Sequence, residues 1–228
     1  ELPELRTHVE TFASAMLAVS RELTRALALA LGLQPAALLS VLEPQPHWQL
    51  KLAHYPVATR GSATEGCGAH CDSGFITLVL AEGRESCLQA FSRGEWLDVP
   101  ALGPEWVTCN LGEVAEILSS GFLRATPHRV LPPRSTPRIS VPWFYNPPLE
   151  CEVRPLALPS TLEWERSGGD GARHWRLPGN VMLRKDGLNA FKSLARSHPD
   201  VFRDQHPDLT LGEDGEVRSL NRSIMPRR

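Results

Sequence analysis

The first thirty residues carry a helical rhythm. Leu5, Val9, Phe12, Met16, Leu23, Leu27 and Leu31 recur mostly at every third or fourth position. Residues 4–31 therefore predict one long amphipathic helix, with Pro3 before its first turn and Gly32 as its stop. "QPAALLSVLEP" predicts a second, short helix between prolines. From residue 48 the period falls to two. "WQLKLAHYP" alternates like a strand that ends at Pro56, and residues 57–67 read as a loop of Gly, Ser, Thr and Ala. "GFITLVL", "CLQAF", "WLDVP" and "EWVTCNL" follow as strands, and strands resume at "HRVL" and "RISVPWFY" after a helical turn in "GEVAEILSSG". Short strands at this spacing predict a sandwich or barrel, so the fold class is mainly β with flanking helices. The segment 150–180 has no period, "GLNAFKSLARSHPD" predicts a helix, and the remainder reads as a polar tail. The organisation expected is one domain: a helical buttress over 1–45, a β core over 46–150 and a partly helical extension over 151–228.

Composition narrows the partners. A chain of 228 residues can bury a substantial core. A net charge of −2 offers no electrostatic footprint for nucleic acid or an anionic membrane. The most apolar stretch, Ala26 to Leu33, is too short to span a bilayer. Five cysteines at irregular spacing suit reduced thiols, and with them a cytoplasmic location, better than a disulfide framework. The expectation is a monomer acting on a small molecule.

Candidate chemistry starts at "GCGAHCDSGF". On a strand, His70 and Asp72 share one face and Cys71 takes the other. One imidazole and one carboxylate can serve a two-His-one-carboxylate iron site, which needs a second imidazole and leaves three positions open. His128 in "ATPHRV" is the best candidate. Ten residues on, Arg138 and Ser140 again share a strand face, and an Arg fork beside a hydroxyl is a good receptor for a carboxylate. A rival reading puts zinc on Cys67, His70 and Cys71, although no second Cys/His pair follows at a suitable distance. His47, His54, His174, His198 and His206 read as ordinary loop or solvated residues.

From about residue 49 to 148 the chain carries "LKLAHYP", "GAHCDSGFITLVL", "LQAFSRGEWLDVP", "VTCNLGEVAEILSSGFLRATPHRV" and "PRISVPWFYNPP". In this order they resemble the catalytic half of the isopenicillin-N-synthase-like branch of the iron(II)/2-oxoglutarate-dependent dioxygenases. The resemblance implies a double-stranded β-helix (jelly-roll) core with the long N-terminal helix as its buttress. It implies His70, Asp72 and His128 as Fe(II) ligands, Arg138 and Ser140 as the clamp for the distal carboxylate of 2-oxoglutarate, and Tyr55 as a third contact to that cosubstrate. It places Phe144 on the substrate pocket and puts Asn110 where the family has a residue of the core or one that supports the metal ligands, without a catalytic role. The implied reaction uses O2 to hydroxylate or desaturate a substrate, with release of succinate and CO2. Phe75, Trp143 and Phe144 together suggest that the substrate is largely apolar. The chain departs from relatives at Cys71, where many have Thr, and at Ala53, where plant relatives often have Asn. It also lacks the family's usual portion ahead of the long helix, as a fragment or a shortened member would. Alternatives from the same residues are an iron oxidase that does not use 2-oxoglutarate, a catalytically silent jelly-roll that binds a ligand, and a nucleic-acid demethylase, for which the charge is wrong.

Overall fold

The computed structural model describes residues 2–59, 66–83, 85–162, 185–212 and 217–220. Helix α1 (Leu5–Ala30) and α2 (Ala36–Leu42) form where the apolar spacing requires. Gly32 ends the first of them at φ +66°, a left-handed conformation that costs glycine little.

Nine strands make two sheets. The first contains β1 (His47–Leu50), β2 (Ala53–Tyr55), β4 (Ile76–Glu82), β7 (Val107–Leu111) and β9 (Arg138–Asn146), in the order β1-β9-β4-β7 with β2 also on β9. The second, ordered β3-β8-β5-β6, contains β3 (Cys67–His70), β5 (Leu88–Ser92), β6 (Glu95–Asp98) and β8 (His128–Val130). Helix α3 (Glu113–Leu118) follows β7. "WQLKLAHYP", expected as one strand, is two: regular pairing with β9 stops after Leu50, where Lys51 N donates to Pro142 O at 3.0 Å but the proline has no N–H to return, and resumes at Ala53.

Strand β9 explains how the layers divide. Trp143 and Tyr145 are fully buried on the side that receives α1, where Trp143 Nε1 donates to Ser20 Oγ at 3.2 Å. Ala28, Leu31, Leu38 and Leu42 from the two helices join the same core as Leu78, Trp143 and Tyr145. The alternate residues Arg138, Ser140 and Phe144 face the other way, toward the second sheet. This period-two sorting lets one strand serve both a dry core and a chemical site.

The C-terminal part holds α4 (Asp186–Ser197), α5 (Pro199–Gln205) and a hairpin of β10 (Leu209–Leu211) and β11 (Val217–Ser219). Only α4 was expected; Pro199 opens α5, and the stretch read as polar tail is partly structured. His174 and most of the aperiodic segment 150–180 lie outside the described residues. His206 was expected to be solvated, but its ring packs on Phe191 and Phe202 at 4.9 and 5.5 Å between centroids. Among the described residues, no helix is long and apolar enough to cross a membrane.

Candidate metal centre

Three ligand types converge where the sheets meet. His70 ends β3, and its ladder partner on β8 is His128. Asp72 follows in a loop rather than on the strand, which corrects the expectation that strand alternation sets its direction. The loop is held from α3: Glu113 N donates to Asp72 O at 2.8 Å and Val114 N donates to Gly74 O at 3.0 Å. Helix N-termini carry unpaired N–H groups, and here the metal loop accepts them. Gly112 permits this close approach, since a Cβ there would collide with the Gly74 carbonyl.

Asp72 Oδ1 lies 3.7 Å from His70 Nε2 and 3.8 Å from His128 Nε2. Among the described residues, the group of three or more such side chains able to hold one metal ion is His70, Asp72 and His128, whose ligand atoms lie within 4.8 Å of one another. Both imidazoles are oriented alike. His70 Nδ1 is 2.7 Å from Gly68 O, and His128 Nδ1 is 2.9 Å from Thr126 O. A carbonyl can only accept, so each Nδ1 carries the proton and each Nε2 keeps its lone pair for a metal. The Asp72 and His128 side chains are 7% and 11% exposed against 39% for His70, so the centre opens on the His70 side.

Burial pulls both imidazoles toward the neutral form. For His128 it prevails over the Asp72 carboxylate and its pKa is lowered. For His70 burial is outweighed by the Cys67 sulfur and the Asp72 carboxylate, which push the ring up to about 9, so without a metal the ring favours the imidazolium and a metal must displace its Nε2 proton. The hydrogen bond to His70 in turn lowers the Cys67 thiol.

The zinc alternative does not assemble. Cys67 Sγ sits 3.8 Å from His70 Nδ1, the protonated nitrogen, and Cys71 Sγ is turned toward Ala125 O at 4.0 Å. Two nitrogens and a carboxylate are instead the donor set of a mononuclear iron site with open positions.

Arg138 and Ser140 are 6% and 2% exposed, on the face of β9 that looks toward this centre. Arg138 Cζ lies 5.2 Å from the ring centroid of Tyr55, its ladder partner on β2, so the tyrosine supports the guanidinium. Among the described residues, Arg138 Nη1 has no hydrogen-bond partner. Leaving such a group unpaired costs at least about 1–3 kcal/mol, so a carboxylate arriving there is stabilised. Cys87 feels the charge of Arg138 and precedes by three residues Ala90, the partner of His128. The guanidinium therefore lies on the side of β9 that faces the second sheet, the sheet that carries His128.

Phe144 shares the face of Arg138 and lies in register with Thr77. Lys51 Nζ sits 5.3 Å from the centroid of its ring. The other two aromatics expected near substrate are not there. Trp143 points to α1 and stacks on Trp48 at 4.7 Å, and Phe75 is sealed in the core. The expectation of a largely apolar substrate loses two of its three supports. One neighbour of the ligands went unassigned in the sequence: Thr77 Oγ1 donates to Asp72 Oδ2 at 2.7 Å; Asn110, expected in the core or behind the ligands, has Nδ2 beside His128.

This arrangement defines a class. Residues 46–147 match the family model of the 2OG-Fe(II) oxygenase superfamily. The double-stranded β-helix expected from the sequence is the fold of its structural neighbours. The chain is 32% identical over 161 residues to homoarginine-6-hydroxylase 2-ODD-C23 of Glycine max, covering 68% of this chain and 48% of the relative. It is 30% identical over 154 residues to 1-aminocyclopropane-1-carboxylate oxidase 3 of Arabidopsis thaliana, covering 67% and 48%. The crystal structure of JOX2 in complex with 2OG, Fe and JA superposes with a TM-score of 0.64 at 25% identity, over 68% of this chain and 46% of that one. The chain thus spans about half the length of the curated relatives it matches.

Proposed function

We propose that this protein is an Fe(II)- and 2-oxoglutarate-dependent oxygenase that hydroxylates or desaturates a small organic molecule. His70, Asp72 and His128 hold the iron through Nε2, Oδ1 and Nε2. Arg138 and Ser140 receive the distal carboxylate of 2-oxoglutarate, with Tyr55 beneath the guanidinium. When bound, the iron and cosubstrate supply oxidising power from O2, coupled to conversion of 2-oxoglutarate to succinate and CO2. The chain's own residues position and shield. The fully buried core around Phe75 and Leu78 closes one side of the centre, and the exposed edge of His70 leaves the other side for substrate. Phe144 is the residue we assign to the substrate wall. The observation that carries this reading is a three-ligand cluster together with a buried guanidinium whose Nη1 has no hydrogen-bond partner among the described residues.

A second reading, an iron oxidase that does not consume 2-oxoglutarate, is favoured by the matches to proteins named as oxidases. One experiment separates the two. Protein loaded anaerobically with Fe(II) is mixed with 2-oxoglutarate, O2 and a panel of small metabolites. The oxygenase reading predicts substrate-stimulated succinate release, lost in His128→Ala. Oxidation of a panel member without succinate would move the assignment to the oxidase.

A further inference from the structure

Asp72 has two carboxylate oxygens, and the structure treats them differently. Oδ1 faces both Nε2 atoms. Oδ2 accepts a hydrogen bond of 2.7 Å from Thr77 Oγ1, and both residues are buried, at 8% and 4% exposure. Asn110, the ladder partner of Thr77 on β7, places Nδ2 3.5 Å from the same Oδ2, at the outer limit of a hydrogen bond. That amide is also 2.9 Å from His128 Nδ1 and 3.3 Å from Nε2. An atom on either ring lone pair would be far from the other nitrogen. The near-equality therefore seats the amide over the ring face, leaving Nδ1–H to Thr126 and Nε2 to a metal.

We propose that Thr77, supported by Asn110, is a positioning residue that fixes Asp72 as a one-oxygen ligand. The inference rests on the metal reading above and concerns the carboxylate's mode of binding. A carboxylate free to turn can present both oxygens to a metal and fill one of the three positions that a cosubstrate and O2 require. A hydroxyl donor on Oδ2 engages that oxygen's lone pair and sets the plane of the group. Hydrogen-bonded partners of this kind typically govern metal affinity by about 10–100-fold. Thr77 does this from the middle of an inner strand. Its backbone is fixed on both sides, by Asn110 on β7 and Phe144 on β9, so the donor cannot drift from its oxygen.

The test is Co(II) titration of the full chain, followed by its visible ligand-field spectrum, which responds to coordination number. Three variants separate the hydroxyl from the space it fills. Thr77→Val keeps the shape and loses the donor, Thr77→Ser keeps the donor and loses a methyl, and Thr77→Ala loses both. Weaker binding by about 10–100-fold with an altered spectrum in Val and Ala, and near-normal behaviour in Ser, is the expected pattern. Ala leaves a cavity rather than a clash, so the comparison survives even if Val fails to fold. Binding and spectrum that follow the methyl, or that do not change in any variant, would overturn the inference alone. An unmodified chain that takes up no Co(II) would overturn the metal reading itself and the inference with it.

Discussion

At the scale of residues, the account depends on a few buried polar atoms and what they lack. Arg138 is the clearest, a guanidinium nitrogen inside the protein with no acceptor among the described residues. Lysine would keep the charge but lose the planar two-point grip on a carboxylate. Arg138→Lys should weaken 2-oxoglutarate binding by about 1–3 kcal/mol, roughly tenfold to a hundredfold, with metal content unchanged. Calorimetric titration of 2-oxoglutarate into protein loaded with redox-silent Ni(II) measures this, and equal affinity in the two proteins would remove the clamp. The candidate ligands and the Arg138–Ser140 pair stood out in sequence because their chemistry is rare and their order specific, and the structure groups His70, Asp72 and His128. Thr77 did not stand out, because a threonine on a strand is ordinary until its place beside Asp72 is known, whereas Asn110 was expected in the core or behind the ligands and pairs with Thr77 there.

At the scale of elements, periodicity located nearly every helix and strand of the first 146 residues, and what it missed has physical causes. The break between β1 and β2 leaves the alternation of "WQLKLAHYP" intact, and Lys51 N still donates to Pro142 O, but Pro142 has no N–H to return, so pattern alone reads one strand. Trp143 and Phe144 are adjacent and both aromatic, and only the sheet's orientation decides which meets α1 and which meets the site. Asp72 left its strand because the loop carbonyls are claimed by α3. Helix α4 carries a testable consequence of its own. Asp186, in its first turn, is 4% exposed, and burial raises its carboxyl to about 7. Because the folded value lies above the ordinary 3.8, the fold favours the protonated acid. The stability this gives is complete below about pH 4 and is lost as pH rises through about 7. Asp186→Asn should therefore protect α4 better than the native residue at pH 8, by an amount on the order of 2–4 kcal/mol at its limit, and little differently near pH 4. Hydrogen exchange of the α4 amides, corrected for intrinsic rates, would show this. Equal protection in both proteins at pH 8 would place the carboxyl in a solvated setting.

At the scale of the whole molecule, two sheets of five and four strands among the described residues bring His70, Asp72 and His128 together, with Arg138 and Ser140 on the opposite layer, while α1 and α2 seal the outer face. The double-stranded β-helix was legible through ordered motifs, whereas the strand order was not, since β9 pairs with three strands that precede it by more than fifty residues.

The central claim is that this inner face binds iron and 2-oxoglutarate as one unit. Anaerobic titration of the Fe(II)-loaded protein with 2-oxoglutarate tests it directly, through the visible metal-to-ligand charge-transfer band that chelation of Fe(II) by a 2-oxoacid produces. The account predicts a saturable band at one equivalent of cosubstrate per iron, absent in His128→Ala and shifted to higher concentration in Arg138→Lys. An iron-loaded protein that gives no band at saturating 2-oxoglutarate would contradict it.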